Sequence, residues 1–142
     1  MKKLALLIFF NLILLLPGVV SADLVVIANL KCGVEKLSKD EVTNLYMGRD
    51  KKLASGITAI PVDLLNPLTE KAQFYKLFTG KDLQDINSYR ARLMFSGQAM
   101  PPIQAASMDE VLEIVSVNTG AIGYIDRKKL DNRVKLIFDP SR

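Results

Sequence analysis

Histidine and tryptophan are absent from this 142-residue chain, and cysteine occurs once, at position 32. Each absence removes a class of chemistry. Without histidine there is no Ser-His-Asp triad, no Cys–His pair and no histidine-ligated zinc. A single cysteine can neither close a disulfide within the chain nor build a thiolate cluster. Cys32 is expected to be buried as a small hydrophobe; pairing with a second chain is the alternative. An enzyme built from this sequence would depend on carboxylates, lysines or a borrowed metal. No motif implies a metal or a cofactor.

Long hydrophobic runs are also scarce, and the one present is short. Met1-Lys2-Lys3 is basic, Leu4 to Pro17 is apolar apart from Asn11, and Val20-Ser21-Ala22 places small residues one and three before Asp23. This is the pattern of a secretory signal peptide, residues 1–22, with cleavage expected at Ala22/Asp23. The run falls short of the roughly 20 residues of a spanning helix. Residues 23–142 are then expected to form one exported domain, periplasmic or secreted. Without the leader, 17 basic residues face 15 acidic ones. A net charge of +2 gives no case for nucleic acid as a partner.

The remaining chain alternates between strand and helix signals. Leu24 to Ala28 is a continuous apolar run with β-branched residues, expected to be a strand buried on both faces. Ser38-Lys39-Asp40-Glu41 is a capping box opening a helix that stops at Gly48. Ala59 to Asp63 reads as a short strand, and Pro61 suggests an edge position or an irregular strand. Asn66-Pro67 reads as N-cap and first helical residue of a second helix with an apolar face of Phe74, Leu77 and Phe78. Asp82 opens a third helix, with Ile86, Tyr89, Ala91, Leu93 and Met94. Residues 99–105 read as a loop. Ser107 to Glu110 is a second capping box. Ala121 to Ile125 and Arg133 to Phe138 are the last strands. The pattern specifies α/β, with a mixed, mostly parallel sheet flanked by helices.

Several segments together resemble a known family. Thr119-Gly120-Ala121-Ile122-Gly123-Tyr124-Ile125 resembles the T-P-G-A-I-G-Y-V segment of phosphate-type (type II periplasmic) solute-binding proteins of ABC importers. Leu37 to Val42 with Leu45-Tyr46-Met47-Gly48 resembles their L-S-x-E-E helix and its I-F-x-G-K end. Ala59-Ile60-Pro61-Val62 stands where they carry an I-x-V-V strand. Arg92 to Gly97, followed by Pro101-Pro102, is similar to the R-L-V-F-T-G and P-P of small exported relatives. The resemblance implies a single periplasmic-binding-protein-like lobe with non-enzymatic solute binding, of phosphate or oxyanion type. One departure is large. Where phosphate binders read R-S-x-G-S-G-T, this chain reads Asp63-Leu64-Leu65-Asn66-Pro67-Leu68-Thr69, and only Thr69 matches.

Two sets of candidate residues follow. Asp63, Asn66, Leu68 and Thr69 are the ligand-binding candidates, because a helix N-terminus offers unpaired N–H groups to an anion. Asp63 and Glu70 oppose an anion there, and an ordinary N-cap with an acidic first turn accounts for the same residues. Arg90, Arg92, Gln98 and Met100 are the interaction-surface candidates, for a membrane transporter or receptor or for a second copy in a homodimer. A solvated arginine beside one whose stem covers apolar surface accounts equally well for Arg90 and Arg92. The acidic pairs Asp40-Glu41 and Asp109-Glu110 belong to capping boxes. Ser55 and Ser96 lack the strand–turn–helix setting of a nucleophile.

Overall fold

The computed structural model describes residues 21–66 and 68–142, so the signal-peptide expectation falls on residues that are almost all outside it, as does Pro67. Ten elements follow in chain order: β1 (Leu24–Asn29), α1 (Lys39–Tyr46), β2 (Ile60–Leu64), α2 (Thr69–Thr79), α3 (Leu83–Phe95), β3 (Ile103–Ala105), α4 (Met108–Val117), β4 (Ala121–Asp126), a 3-10 turn (Arg127–Lys129) and β5 (Val134–Phe138). The strands form one sheet in the order β3-β2-β4-β1-β5. β2 runs parallel to β3 and β4, while β1 runs antiparallel to β4 and β5. The architecture is α/β with a mixed sheet, its pairings evenly divided between the two senses. All six residues of β1 are buried, because helices cover both faces of the sheet. No helix among the described residues is long and apolar enough to cross a membrane.

Side chains alternate across a strand, so each face of the sheet has its own set. Val25 and Ile27 of β1 and Ala121, Gly123 and Ile125 of β4 share the face beneath α4. Gly123 is required there, since a Cβ would stand 2.5 Å from Val111 Cγ1. At Gly120 a Cβ would meet the Thr58 carbonyl oxygen at 2.0 Å. The opposite face carries Val26, Ile122, Tyr124 and Asp63 and is covered by α1 and α2, with α3 packed on α2.

The helix ends follow local chemistry where the sequence offers a cap. Ser38 accepts from the Glu41 N–H and Glu41 accepts from the Ser38 N–H, completing the capping box of α1. At α4 only half the box forms: Ser107 accepts from Glu110 N–H, but Glu110 reaches the Ala106 N–H instead. α2 departs from expectation. It starts at Thr69 with Leu68 as N-cap and no side-chain cap, because Leu65 and Asn66 are used in a turn closed by Leu68 N–H to the Leu65 carbonyl. Asn66 is therefore not the N-cap.

Two further expectations change. Pro61 lies in an interior strand. Ile60 N–H donates to the carbonyl of Gly120, the residue before β4, so the ring nitrogen of Pro61 faces the other side, where β3 begins pairing only at Val62. No ladder hydrogen bond is lost. The expected loop at 99–105 contains β3, a three-residue edge strand.

Candidate functional site

β2 carries one charged residue, Asp63, and it is 0% exposed. A carboxylate in that position must be paired, since leaving a buried charge unmatched costs several kcal/mol. Its partners come from two helices and two strands. Oδ1 accepts from Tyr124 Oη at 2.5 Å and from the Leu64 N–H at 2.9 Å. Oδ2 accepts from Tyr75 Oη at 2.6 Å and Arg90 Nη1 at 2.9 Å. Lys71 Nζ stands 3.7 Å from the same oxygen. Arg90 Nη2 also donates to the Tyr46 carbonyl at 3.1 Å and to the Tyr75 hydroxyl.

The aromatic packing around this group fixes its geometry. Phe74 stacks on Tyr124 with ring centroids 3.9 Å apart, and Tyr46 meets both rings edge-on. The guanidinium of Arg90 lies 5.0 Å from the Tyr75 ring centroid, within cation–π range. Burial, reinforced by the negative charge of Asp63, raises the pKa of Tyr46, Tyr75 and Tyr124 above the usual phenol value. All three therefore stay protonated, as hydrogen-bond donors, at any physiological pH.

Lys71 differs from its neighbours. Its side chain is 2% exposed, and its ammonium is held by Asp63 Oδ2 at 3.7 Å, a looser pairing than that of Arg90 with the same oxygen. Burial pushes its pKa below the usual 10.5; Asp63 offsets part of this and Arg90 adds to it. With Lys71 protonated, two cations face one carboxylate, leaving one positive charge over.

Lys71 and Arg90 border a cavity of about 390 Å³. The amides of Asn66, Asn87 and Gln104 line it too. Its remaining wall is apolar: Ala91, Met94, Phe95, Pro101 and Pro102. Asn66 follows the C-terminal end of β2, and Gln104 is in the parallel edge strand β3 beside it; open α/β sheets place ligands past the C-terminal ends of such strands. The chemistry available is binding: cationic and amide donors at one end and apolar surface at the other.

The sequence candidates therefore separate. Asn66 borders the cavity. Asp63 lies beneath it with both oxygens occupied, as a counter-charge that no solute can reach. Leu68 packs half-buried against the core. Thr69 is exposed and its hydroxyl is 3.4 Å from Glu70. Arg90 is part of the buried network and only 12% exposed, so it is no surface residue. Arg92 and Gln98 are exposed, and Met100 is 90% exposed. Lys71, Tyr75 and Asn87 escaped the sequence reading. Lys71 had a usable signal: it shares the i, i+3, i+4, i+7 face with Phe74, Tyr75 and Phe78, and a lysine on an apolar stripe needs a reason.

No family model matches the sequence, and no curated protein matches it. Solved structures match the fold. A phosphate ABC transporter substrate-binding protein from Clostridium perfringens, determined with bound phosphate, superimposes with a TM-score of 0.65 at 14% identity. It matches 82% of this chain and 44% of its own. The fold is that of a solute-binding-protein lobe. An ABC-type phosphate transport receptor from Vibrio cholerae matches at TM-score 0.64 and 17% identity, over 82% of this chain and 45% of its own. PstS from Borrelia burgdorferi matches at 0.65 and 13%, over 82% and 47%. The chain thus spans less than half the length of each. At these identities the likeness concerns the fold, and the lobe's own residues must supply the rest.

Proposed function

We propose that this lobe is a non-enzymatic, exported solute-binding domain that holds a small anion against Lys71. The carrying observation is the Lys71 ammonium, loosely paired with Asp63 at 3.7 Å and bordering a cavity that Asn66, Asn87 and Gln104 also line. Burying an ammonium against a carboxylate 3.7 Å away costs stability, and a bound anion would offset that cost. The phosphate motif of the larger binders is replaced rather than retained: Asp63 stands at the arginine position and is neutralised internally. With one lobe the anion stays partly in water, so the affinity is modest.

Thermal unfolding of the purified protein tests this reading. A panel of anions should raise the midpoint, by about 2.7 kcal/mol of stabilisation at 100 times the dissociation constant. Neutral sugars and polyamines should not. Lys71→Met should abolish the shift. A panel in which no anion acts contradicts the reading.

A docking role is the second reading, and one observation favours it. An adjoining groove of about 450 Å³, which shares Arg90, Met94, Pro101 and Pro102 with the Lys71 cavity, runs between the end of α1, the start of β2 and the 97–102 loop, with Leu93, Ala99 and Ile103 in its lining. Met100 stands exposed beside it. A membrane receptor, an importer or a second copy would bind there, over Gln98 and Met100. Light scattering at rising concentration, with Met100→Ser as control, separates a homodimer from a monomer.

A further inference from the structure

We propose that the anion taken by the Lys71 cavity is a small monocarboxylate with an apolar body; this deepens the solute-binding reading above and rests on it. Three observations lead there. The first is charge. Lys71 and Arg90 face Asp63, so the buried group is one positive charge in excess. A monoanion completes it. A phosphate dianion would leave a negative charge beside buried tyrosine hydroxyls that are already donating to Asp63.

The second observation is donor supply. Both terminal nitrogens of Arg90 are engaged, on Asp63, Tyr46 and Tyr75. Lys71 is therefore the main cation left for a ligand. One ammonium and flanking amides suit the two oxygens of a carboxylate better than the four of a tetrahedral oxyanion, which calls for donors all round.

The third is the far wall. Phe95 borders the cavity and is 95% exposed, and Met94 beside it is 50% exposed. An aromatic ring left in water at a cavity mouth is covered by a ligand that carries apolar surface, and an inorganic anion carries none. A carboxylate head on Lys71 and a ring or short alkyl chain on Phe95 would use both ends.

The test is calorimetric titration of the purified protein with benzoate, hexanoate, acetate, phosphate and sulfate at constant ionic strength. Benzoate or hexanoate should bind at least tenfold more tightly than acetate, phosphate and sulfate. Lys71→Met should remove that binding, with Lys71→Gln as a second variant should the first fail to fold. Phe95→Ser should reduce the advantage of benzoate over acetate severalfold. Tighter binding of phosphate or sulfate than of benzoate overturns the monocarboxylate proposal and leaves the anion-binding lobe standing. Silence from all five overturns both. Benzoate binding that survives Lys71→Met or Lys71→Gln in folded protein also overturns the proposal, because the ligand then sits elsewhere.

Discussion

The two faces of the central sheet are held in opposite ways. Beneath α4, Ile27, Gly123, Val111 and Val115 meet as hydrocarbon, and the helix lies so close that position 123 admits no Cβ. Beneath α1 and α2 the same strands present Asp63 and Tyr124 to Tyr75, Arg90 and Lys71. The first face needs only shape. The second needs every donor and acceptor in place, because a buried polar group left unmatched costs more than a matched one contributes. Packing alone would have been served by apolar residues on both faces. The ionic face is the one the proposed anion-binding role would use.

Substitutions should widen that contrast. Asp63→Asn leaves Arg90 and Lys71 buried without a counter-charge. The expected loss is about 3–5 kcal/mol, read from denaturant unfolding. Added anion should restore part of it, and no anion should rescue a lesion on the hydrocarbon face. Gly123→Ala is that lesion: overpacking against Val111 is expected to cost about 1–3 kcal/mol, independent of salt and solute. Tyr124→Phe removes one donor to Asp63 and leaves the ring stacked on Phe74, with an expected cost of about 1–3 kcal/mol. At the surface, Ser38→Ala removes the α1 cap at about 1 kcal/mol.

The smallest effect lies far from both faces. Hydrogen bonds from Arg127, and then Ser141, hold Asp139 well below the usual carboxylate range. A carboxyl with a depressed folded-state pKa contributes stability above its unfolded value and loses it as pH falls through the folded one. Asp139→Asn should therefore lower stability slightly at neutral pH and flatten the acid limb of the stability curve, the two proteins converging as pH falls through the folded-state value.

The contrast between the faces also explains what could be read from the sequence. The apolar face was legible. The β1 run, the Gly120–Gly123 segment and the Ser38 capping box are local patterns, and each became the element it specified. The ionic face was legible only in parts. Asp63 was visible as the one acid in an apolar strand, but its partners lie 12, 27 and 61 positions away. No periodicity links positions so far apart; tertiary packing brings them together. Asp63 therefore looked like a ligand contact when it is an internal counter-charge. The run from Leu65 to Thr69 misled for another reason. Asn66 is a good cap by composition, but a turn had already used it. Met94, read as part of the third helix's apolar set, is half exposed and Phe95 beside it is 95% exposed, a position no local pattern distinguishes from a packed one.

On the proposed function Lys71 is kept for a ligand rather than for the fold, and its removal separates the two roles. Its ammonium has a folded-state pKa below the unfolded one, so at neutral pH the protonated group subtracts from stability, a cost relieved as pH rises through the folded value. Unfolding of the wild type and of Lys71→Met, with and without benzoate and phosphate at pH 7, is the measurement. The account expects the variant to be at least as stable as the wild type without anion, and to lose all response to either anion. A variant that is several kcal/mol less stable, beside a wild type that responds to no anion, would make Lys71 a structural residue and contradict the account.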